Sequence, residues 1–142
     1  MLNYGIYKQS AAFRLNLVEP KSKMEGEFPN PGGYFIDIAK STPASNTKYD
    51  WTSCAKFFVS FKEVTKLIAM LKGDTSISLI HDPKLGGKTG DIKSLYTGVS
   101  GDTTFLNFSA GTHKIGIAMD KFEVETVILL LQNTIHIALG WK

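Results

Sequence analysis

Apolar residues recur at helical spacing in two segments of the chain, and shorter alternating segments precede each of them. Within residues 120–141 the apolar stripe repeats every three or four positions, which is typical of a helix with one buried face. Asp120 can cap the start, Glu123 stands at the capping-box position, and Gly140 can adopt the left-handed conformation that ends a helix. The stripe consists of Val124, Val127, Ile128, Leu131, Ile135, Ala138 and Leu139. This segment predicts the longest helix of the protein.

A second, shorter helix is predicted between Ser60 and Gly73. Ser60 is the capping residue, Glu63 follows at the capping-box position, and Gly73 is the stop. The apolar stripe consists of Val64, Leu67, Ile68 and Leu71. Glu63, Val64, Ile68 and Leu71 have identical counterparts 60 positions later. We therefore predict an internal repeat, residues 1–73 and 74–142, within a single domain that covers residues 1–142.

Short strands are predicted before each helix. Residues 12–18 show the period-two alternation of a half-buried strand, with Arg14 and Asn16 on the polar side. The other predicted strands are residues 4–8, 34–40 and 54–59 in the first half, and residues 76–81, 91–99, 104–109 and 112–119 in the second. Residues 20–33, 41–48 and 83–90 are predicted as loops because they are polar or rich in glycine and proline. Strands without intervening helices favour an α+β fold with two antiparallel four-stranded sheets and two packed helices, in the order ββββα repeated twice.

Composition and charge indicate an ordinary folded domain with a mildly basic first half. Of its 142 residues, 43% are hydrophobic and 20% are charged, and the net charge is +3. Residues 1–72 hold 10 Lys/Arg against 6 Asp/Glu, whereas residues 73–142 hold 6 against 7. An anion-binding surface is therefore expected mainly in the first repeat. Cys54 is the only cysteine, so no internal disulfide is expected.

No pattern of a membrane protein, an enzyme or a metalloprotein is recognised. The most apolar run, residues 126–131, is too short to span a bilayer, and the N-terminus shows neither a signal-peptide nor a transit-peptide pattern. Gly87-Lys88-Thr89 is similar to the end of a phosphate-binding loop, but Asp82 occupies the position of the required first glycine. The three histidines lack the spacing of metal ligands, and no nucleophile elbow is present. We expect no catalysis, no cofactor and no metal.

Aromatic and basic residues lie close together along the predicted strands, as in Phe13-Arg14 and Lys56-Phe57-Phe58. Aromatic rings stack on unpaired bases with about 1–3 kcal/mol per base, while lysine and arginine follow the phosphate charge. The alternative is that these rings fill the core. Because one face of a sheet can be buried while the other is exposed, both interpretations can hold for different rings.

Six segments, taken in chain order, resemble the Whirly family of single-stranded DNA-binding proteins. They are residues 4–13 (Tyr-Gly-Ile-Tyr-Lys-Gln-Ser-Ala-Ala-Phe), 18–20 (Val-Glu-Pro), 48–51 (Lys-Tyr-Asp-Trp), 81–83 (His-Asp-Pro), 105–109 (Phe-Leu-Asn-Phe-Ser) and 138–141 (Ala-Leu-Gly-Trp). The resemblance implies a homotetramer with helices at its centre, which binds single strands along the sheets with little sequence preference. It also implies a role in genome maintenance or transcription in mitochondria or plastids, with the nucleus as an alternative.

One family motif, Lys-Gly-Lys-Ala-Ala-Leu, falls on residues 8–13 of this chain. Lys8, Ala11 and Ala12 are retained, whereas the glycine is replaced by Gln9, the second lysine by Ser10 and the leucine by Phe13. In the family this hairpin serves DNA binding and the assembly of tetramers into larger particles. The resemblance therefore supports DNA binding here and leaves assembly beyond the tetramer open.

We predict a non-enzymatic protein that binds single-stranded DNA, with RNA binding or a transcription-coactivator role as alternatives. Phosphate and polar contacts are assigned to Lys8, Arg14, Lys56, Lys93 and Lys114. Base stacking is assigned to Tyr7, Tyr34, Trp51, Phe58 and Phe105, and a base-edge hydrogen bond to Asn107. A one-residue shift in register would exchange the two faces of each strand, so the choice of rings depends on the register.

Overall fold

The structure, a computed structural model, describes residues 3–21, 30–42 and 45–141, and for residues 45–47 only the backbone. In these ranges the chain forms nine strands and two α-helices. The strands are β1 (Asn3–Tyr7), β2 (Ala11–Val18), β3 (Gly33–Thr42), β4 (Ser45–Tyr49), β5 (Ala55–Ser60), β6 (Leu79–His81), β7 (Lys93–Ser100), β8 (Thr103–Ala110) and β9 (His113–Met119). The helices are α1 (Val64–Leu71), after β5, and α2 (Lys121–Ala138), after β9.

The first sheet has four antiparallel strands in the order β1-β2-β3-β5. A fifth strand, β4, pairs with Ser41 and Thr42 at the C-terminal end of β3. The prediction of a polar linker over residues 41–48 was therefore wrong, because β3 extends to Thr42 and β4 follows it. Residues 43 and 44 of that linker, and residues 22–29 of the predicted loop before β3, lie outside the described residues.

The second sheet has four antiparallel strands in the order β6-β7-β8-β9. Its first strand is shorter than predicted, since β6 begins at Leu79 and not at residue 76. The reason is a local turn in which the backbone N–H of Ser76 donates to the Asp74 carboxylate at 3.1 Å. The predicted loop over residues 83–90 contains a 3-10 turn at Pro83–Gly86, capped by Asp82, which accepts from the Lys84 N–H at 2.9 Å.

The capping residues that the sequence indicated lie at both ends of α2, and at both ends of the helical segment that contains α1. At α2 the Asp120 carboxylate accepts from the backbone N–H groups of Phe122 and Glu123, and Glu123 accepts from the Asp120 N–H at 2.9 Å. At the first helix the Ser60 N–H donates to Glu63 at 3.1 Å, but a 3-10 turn at Phe61–Glu63 precedes α1. Gly73 and Gly140 follow the two helices with φ of 110° and 82°, values at which glycine avoids the strain of other residues.

The inner faces of both sheets and the apolar faces of both helices form one hydrophobic core. The two helices contact each other, and β9 of the second sheet contacts β2 and β3 of the first. The largest fully buried side chains include Phe13, Tyr34, Phe57, Leu67 and Leu131. Equivalent positions of the predicted repeat are buried in both helices, as Val64 and Val124 show. The predicted α+β architecture with two antiparallel sheets and two packed helices is confirmed.

Candidate nucleic-acid interface

Each sheet has one face that packs on the core and one face that points away from it. On the first sheet, the outward-pointing residues of β1, β2, β3 and β5 form what we call the first face. One row across this face consists of Gly5, Arg14, Asp37 and Lys56. A neighbouring row consists of Asn3, Asn16, Phe35 and Phe58. Charged, amide and aromatic groups thus share one surface.

Phe35 and Phe58 form an aromatic pair at one end of the first face. The register places them directly opposite each other, with ring centroids 5.1 Å apart and planes inclined by 54°. Phe35 is 41% exposed. A cavity of about 440 Å³ opens beside the two rings, and its other lining residues are Val18, Glu19, Lys21, Asn30, Pro31 and Gly32. The pair therefore presents aromatic surface to solvent next to a concave site.

Tyr7, Tyr49 and Trp51 form an aromatic chain at the other end of the first face. The Tyr7 and Tyr49 ring centroids are 5.8 Å apart, and those of Tyr49 and Trp51 are 6.3 Å apart. The guanidinium carbon of Arg14 lies 3.6 Å from the centroid of the Trp51 ring, which is a close cation–π contact. The positive charge of Arg14 is therefore held over an aromatic ring.

A tight turn after β4 fixes the position of Trp51. The Asp50 carboxylate accepts hydrogen bonds from the Thr52 hydroxyl at 2.7 Å and from the Ser53 N–H at 3.2 Å. These bonds, with that of Thr52 the strongest, lower the pKa of Asp50 below its ordinary value. The Asp50 N–H donates to the Lys40 carbonyl at 2.9 Å, which ties the turn to β3. The turn thus places Trp51 beside the strands that carry Arg14.

Asp37 lies between Arg14 and Lys56 in the middle of the first face. Asp37 is only 8% exposed. Asn16 Nδ2 donates to Asp37 Oδ2 at 3.2 Å. Within the part of the chain that the structure describes, Asp37 Oδ1 has no hydrogen-bond partner. A buried carboxylate oxygen without a donor is unusual, because leaving such a group unpaired is energetically unfavourable.

Lys8 lies in the turn between β1 and β2 and contacts the start of α2. Its Nζ forms an ion pair with Glu123 Oε1. The Tyr49 hydroxyl donates to the Lys8 carbonyl, so the turn is also connected to the aromatic chain. The pKa of Asp120, the cap of α2, is held below its ordinary value by the Glu123 N–H first of all, and Lys8 adds to this effect. The β1–β2 turn is therefore linked to the capped end of α2.

The outward-pointing residues of β6–β9 form what we call the second face. Tyr96, Asn107 and Gly116 occupy one row, and Tyr96 and Phe105 are partly exposed. A Cβ at Gly116 would lie 2.3 Å from Asn107 Oδ1, so only glycine lets the asparagine lie across β9. Lys114 is exposed on this face. The second face is aromatic and polar, with less positive charge than the first.

The structure groups most of the predicted ligand-binding residues on these two faces. Tyr7, Arg14, Lys56 and Phe58 belong to the first face, and Trp51 lies at its end, over Arg14. Phe105, Asn107 and Lys114 belong to the second face. Lys93 is exposed but lies on the same side of β7 as the buried Leu95, where its Nζ donates to the Lys56 carbonyl at 3.4 Å. Lys93 thus lies where β7 approaches β5, at the seam between the sheets.

The assignment of Tyr34 to base stacking was wrong. Tyr34 is 1% exposed, and its hydroxyl is hydrogen-bonded to Thr134 Oγ1 of α2 at 2.7 Å. Burial raises the pKa of Tyr34, and the hydrogen bond to Thr134 offsets part of this effect. The ring lies on the core side of β3 together with Ile36 and Ile38. It cannot present a face to a base.

Sequence reasoning assigned no binding role to Phe35, Tyr49 or Tyr96, which lie on the outer faces or in the aromatic chain. Phe35 could have been found from the register, because Asp37 two residues later favours the outward side of β3. Tyr96 could have been found in the same way from the buried Leu95. No local signal placed Tyr49 beside Tyr7, since that contact depends on β4, which was not predicted.

His81 and Glu63 form a second polar contact at the seam between the sheets. His81 Nε2 lies 2.9 Å from Glu63 Oε2, and its ring stacks on Phe57 with centroids 4.2 Å apart. Burial by itself raises the pKa of Glu63, but hydrogen bonds from Ser60 and His81 together outweigh it and lower the pKa below its ordinary value. These contacts give Glu63 and His81 a structural role, since they connect the first helical segment to β6.

No group of three or more His, Cys, Asp or Glu side chains in the described ranges could hold a metal ion. Neither α1 nor α2 is long and apolar enough to cross a membrane.

Comparisons with known proteins identify one family and one fold. The family model described as Whirly transcription factor matches residues 6–128. Solved structures of similar fold include the plant transcriptional regulator PBF-2 (22% identity, TM-score 0.79, 99% of this chain and 92% of that chain). They also include WHY1 (22%, 0.82, 99% and 86%) and WHY3 (20%, 0.78, 99% and 90%), both from Arabidopsis thaliana. No curated protein sequence matches the chain. At these identities the structural likeness shows the fold alone.

Proposed function

Because the chain belongs to the Whirly family, as its sequence resemblance predicted, we propose that it binds single-stranded DNA with little sequence preference and without catalysis. The observation that carries this proposal is the first face. There the half-exposed Phe35–Phe58 pair, a cavity of about 440 Å³ and the Arg14 and Lys56 cations lie on one side of a single sheet. Rings for bases and cations for phosphates are the two components that sequence-tolerant single-strand binding needs.

The geometry favours an unpaired strand over a duplex. Aromatic rings can stack only on bases that are not already stacked in a duplex. The Phe35 ring lies on the surface of a sheet and not on a helix or β-ribbon that could enter the major groove of a duplex. Every base offers a ring face, so stacking gives affinity with little discrimination. Lys56 and Lys114 are exposed and can follow the phosphates of a flexible strand across the two faces.

The proposed assembly is a homotetramer in which α2 supplies the subunit contacts. The solvent side of this helix is apolar at two positions, since Phe122 is 71% and Leu129 is 48% exposed in the single chain. Exposed apolar side chains on a long helix are typical of a protein–protein contact. Closed symmetry would repeat both faces around one axis and lengthen the track for a single strand. Because Gln9 and Ser10 depart from the family motif in the β1–β2 turn, assembly beyond four subunits is left open, and light scattering of the free protein tests it.

The proposed biological role follows the family and not the geometry. It comprises genome maintenance or repair and transcription regulation, and the proposed compartment is a mitochondrion or plastid, with the nucleus as the alternative. The mildly basic character of residues 1–72, with 10 Lys/Arg against 6 Asp/Glu, is compatible with a nucleic-acid partner in any of them. Localisation of a tagged full-length protein tests the compartment directly.

An electrophoretic titration with matched oligonucleotides tests the molecular function. We expect tighter binding to a mixed-sequence single strand than to its duplex, and a steep loss of affinity between about 50 and 200 mM salt because phosphate contacts release counterions. The same sequence as RNA tests the RNA alternative, since only the 2′-hydroxyl and the thymine methyl differ. Duplex preference or salt-insensitive binding would refute the proposal. Light scattering of the free protein determines whether four subunits assemble.

A further inference from the structure

The unpaired oxygen of Asp37 is the feature of the first face that single-strand binding leaves unexplained. Asp37 is 8% exposed, and Asn16 satisfies only one of its two carboxylate oxygens. Oδ1 is buried and has no donor among the described residues. A carboxylate in this situation is unfavourable in the free protein and is ready to accept a hydrogen bond from any donor that reaches it.

A suitable donor is directly opposite Asp37. Arg14 is its register partner on β2, and cross-strand partners have Cβ atoms only about 4.5–5.5 Å apart. The two charged groups nevertheless form no ion pair within the described chain. The guanidinium lies instead 3.6 Å from the centroid of the Trp51 ring. In the free protein, Arg14 thus covers an aromatic ring, while Oδ1 of the neighbouring carboxylate has no donor among the described residues.

We propose that Arg14 has two positions, and that a nucleobase takes its place on Trp51 while the guanidinium moves to Asp37. The Trp51 ring is then a base-stacking site that is covered in the free protein, and Asp37 is the positioning residue that makes uncovering it favourable. This inference rests on the proposed function, since its ligand is a base of a single strand. The guanidinium has five N–H donors, so at Asp37 it can also hold a phosphate oxygen.

The exchange is chemically balanced because each partner that is lost is replaced. Trp51 loses a cation and gains a base, and both interact with the face of the ring. Arg14 loses a ring and gains a carboxylate, the partner that a guanidinium matches best. Asp37 Oδ1 gains the hydrogen bond that it lacks in the free protein. Lys56 also faces Asp37, from β5, and is the competing donor that the experiment must exclude.

The proposal predicts that Asp37→Asn weakens binding of a single strand, whereas simple electrostatics predicts that it strengthens binding. Removing a negative charge from a surface that binds a polyanion should strengthen binding. If Asp37 instead receives Arg14, the amide is a weaker acceptor that still keeps one oxygen, and we expect affinity for a mixed-sequence single strand to fall about fivefold, as for the net loss of one ordinary hydrogen bond. Asp102→Asn is the matched control, since it removes the same charge from the exposed turn between β7 and β8.

A double-mutant cycle identifies the donor. With Arg14→Ala already present, Asp37→Asn should change affinity by less than about twofold, because the two residues act as a pair only in the complex. With Lys56→Ala present, the roughly fivefold loss should persist. In the free proteins the effects of Arg14→Ala and Asp37→Asn on the unfolding midpoint should be nearly additive, since no ion pair joins the two described side chains there. The unfolding curves of the same variants also show whether each of them folds.

Trp51 fluorescence reports the exchange directly when Trp141→Phe removes the other tryptophan. We expect an unlabelled single strand to quench Trp51 in the parent protein and to quench it less at saturation in Asp37→Asn. An affinity of Asp37→Asn equal to or above that of Asp102→Asn, or the same loss with Arg14→Ala present, would overturn the inference alone. A parent protein that binds no single strand would refute the proposed function and this inference with it.

Discussion

Adjacent residues of β3, Tyr34 and Phe35, provide the clearest test of the two-sided sheet. Tyr34 points to the core and bonds to α2, whereas Phe35 points outward and pairs with Phe58. We predict that Tyr34→Phe lowers stability and leaves single-strand affinity unchanged. Phe35→Leu should lower affinity and leave stability nearly unchanged. The two neighbouring substitutions therefore have separate effects if the faces are as described.

The stability change for Tyr34→Phe follows from one hydrogen bond. The Thr134 hydroxyl donates to the Leu130 carbonyl at 2.7 Å, so the Tyr34 hydroxyl must be the donor in its 2.7 Å contact with Thr134 Oγ1. Removing that donor leaves Thr134 with its own bond intact, and the net loss is about 0.5–1.5 kcal/mol. For a chain of this size, each kcal/mol lowers the unfolding midpoint by about 2–4 °C.

The affinity change for Phe35→Leu follows from base stacking. One base on an aromatic ring contributes about 1–3 kcal/mol, equivalent to roughly a 5- to 150-fold change in the dissociation constant. Leucine keeps an apolar contact with Phe58, so a value near the lower end is expected. The stability effect should stay within about 0.5 kcal/mol, because Phe35 is 41% exposed and leucine keeps an apolar contact with Phe58.

Two measurements on each variant complete the test, a thermal unfolding curve and a fluorescence-anisotropy titration with one labelled single strand. Salt and protein concentration are held fixed, since phosphate contacts and subunit assembly both depend on them. A Tyr34→Phe variant that binds as weakly as Phe35→Leu would show that the Tyr34 ring takes part in binding. An unchanged affinity in Phe35→Leu would remove the first face from the proposed site.

The remaining predictions concern two carboxylates that hold basic side chains. The pKa of Glu63 is lower in the folded protein than in the unfolded chain, where it is near 4.5. Glu63 therefore stabilises the fold at pH values above 4.5, and this stabilisation is lost as pH falls through the folded pKa. Glu63→Gln should thus lower the unfolding midpoint at pH 7, and the difference from the parent should shrink at pH values below about 4. Glu123→Gln keeps an acceptor for the helix cap but removes the ion pair with Lys8, so single-strand affinity should rise by about two- to threefold, as for release of a surface ion pair. Glu125→Gln, on the exposed side of the same helix, should change affinity less, and equal effects in the two variants would contradict a specific release of Lys8.

The sequence predicts the elements of this fold well where local chemistry decides them. Asp120 and Gly140 bound α2 because caps and stops act through their own backbone neighbours. The sequence could not predict β4, since its residues are polar and its pairing with Ser41 and Thr42 depends on where β3 runs. The strand predicted from residue 76 is also longer than β6, because the backbone N–H of Ser76 bonds to the Asp74 side chain and is not available for strand pairing.

The candidate site was predictable in composition but not in orientation. Arg14 and Lys56 were found because charged residues in an alternating strand almost always point outward. Tyr34 was misassigned because β3 is apolar on both sides near its start, and only the position of Asp37 distinguishes the faces. Contacts between distant segments, such as Lys8 with Glu123, have no sequence signal at all, because they arise only when folding brings the β1–β2 turn to the start of α2.

The two halves of the chain share four identical residues in their helical segments but present different outer faces, and packing explains both facts. Leu71 and Leu131 are buried at equivalent positions of the predicted repeat, where a change of size or polarity would disturb the common core. Outward-pointing residues meet no such constraint, and there the first face carries Arg14 and Lys56 where the second carries mainly neutral side chains around Asn107. Phosphate attraction should therefore come chiefly from the first sheet, while the second adds aromatic and amide contacts. A strand that crosses both sheets would be held most firmly where the cations lie beside the rings.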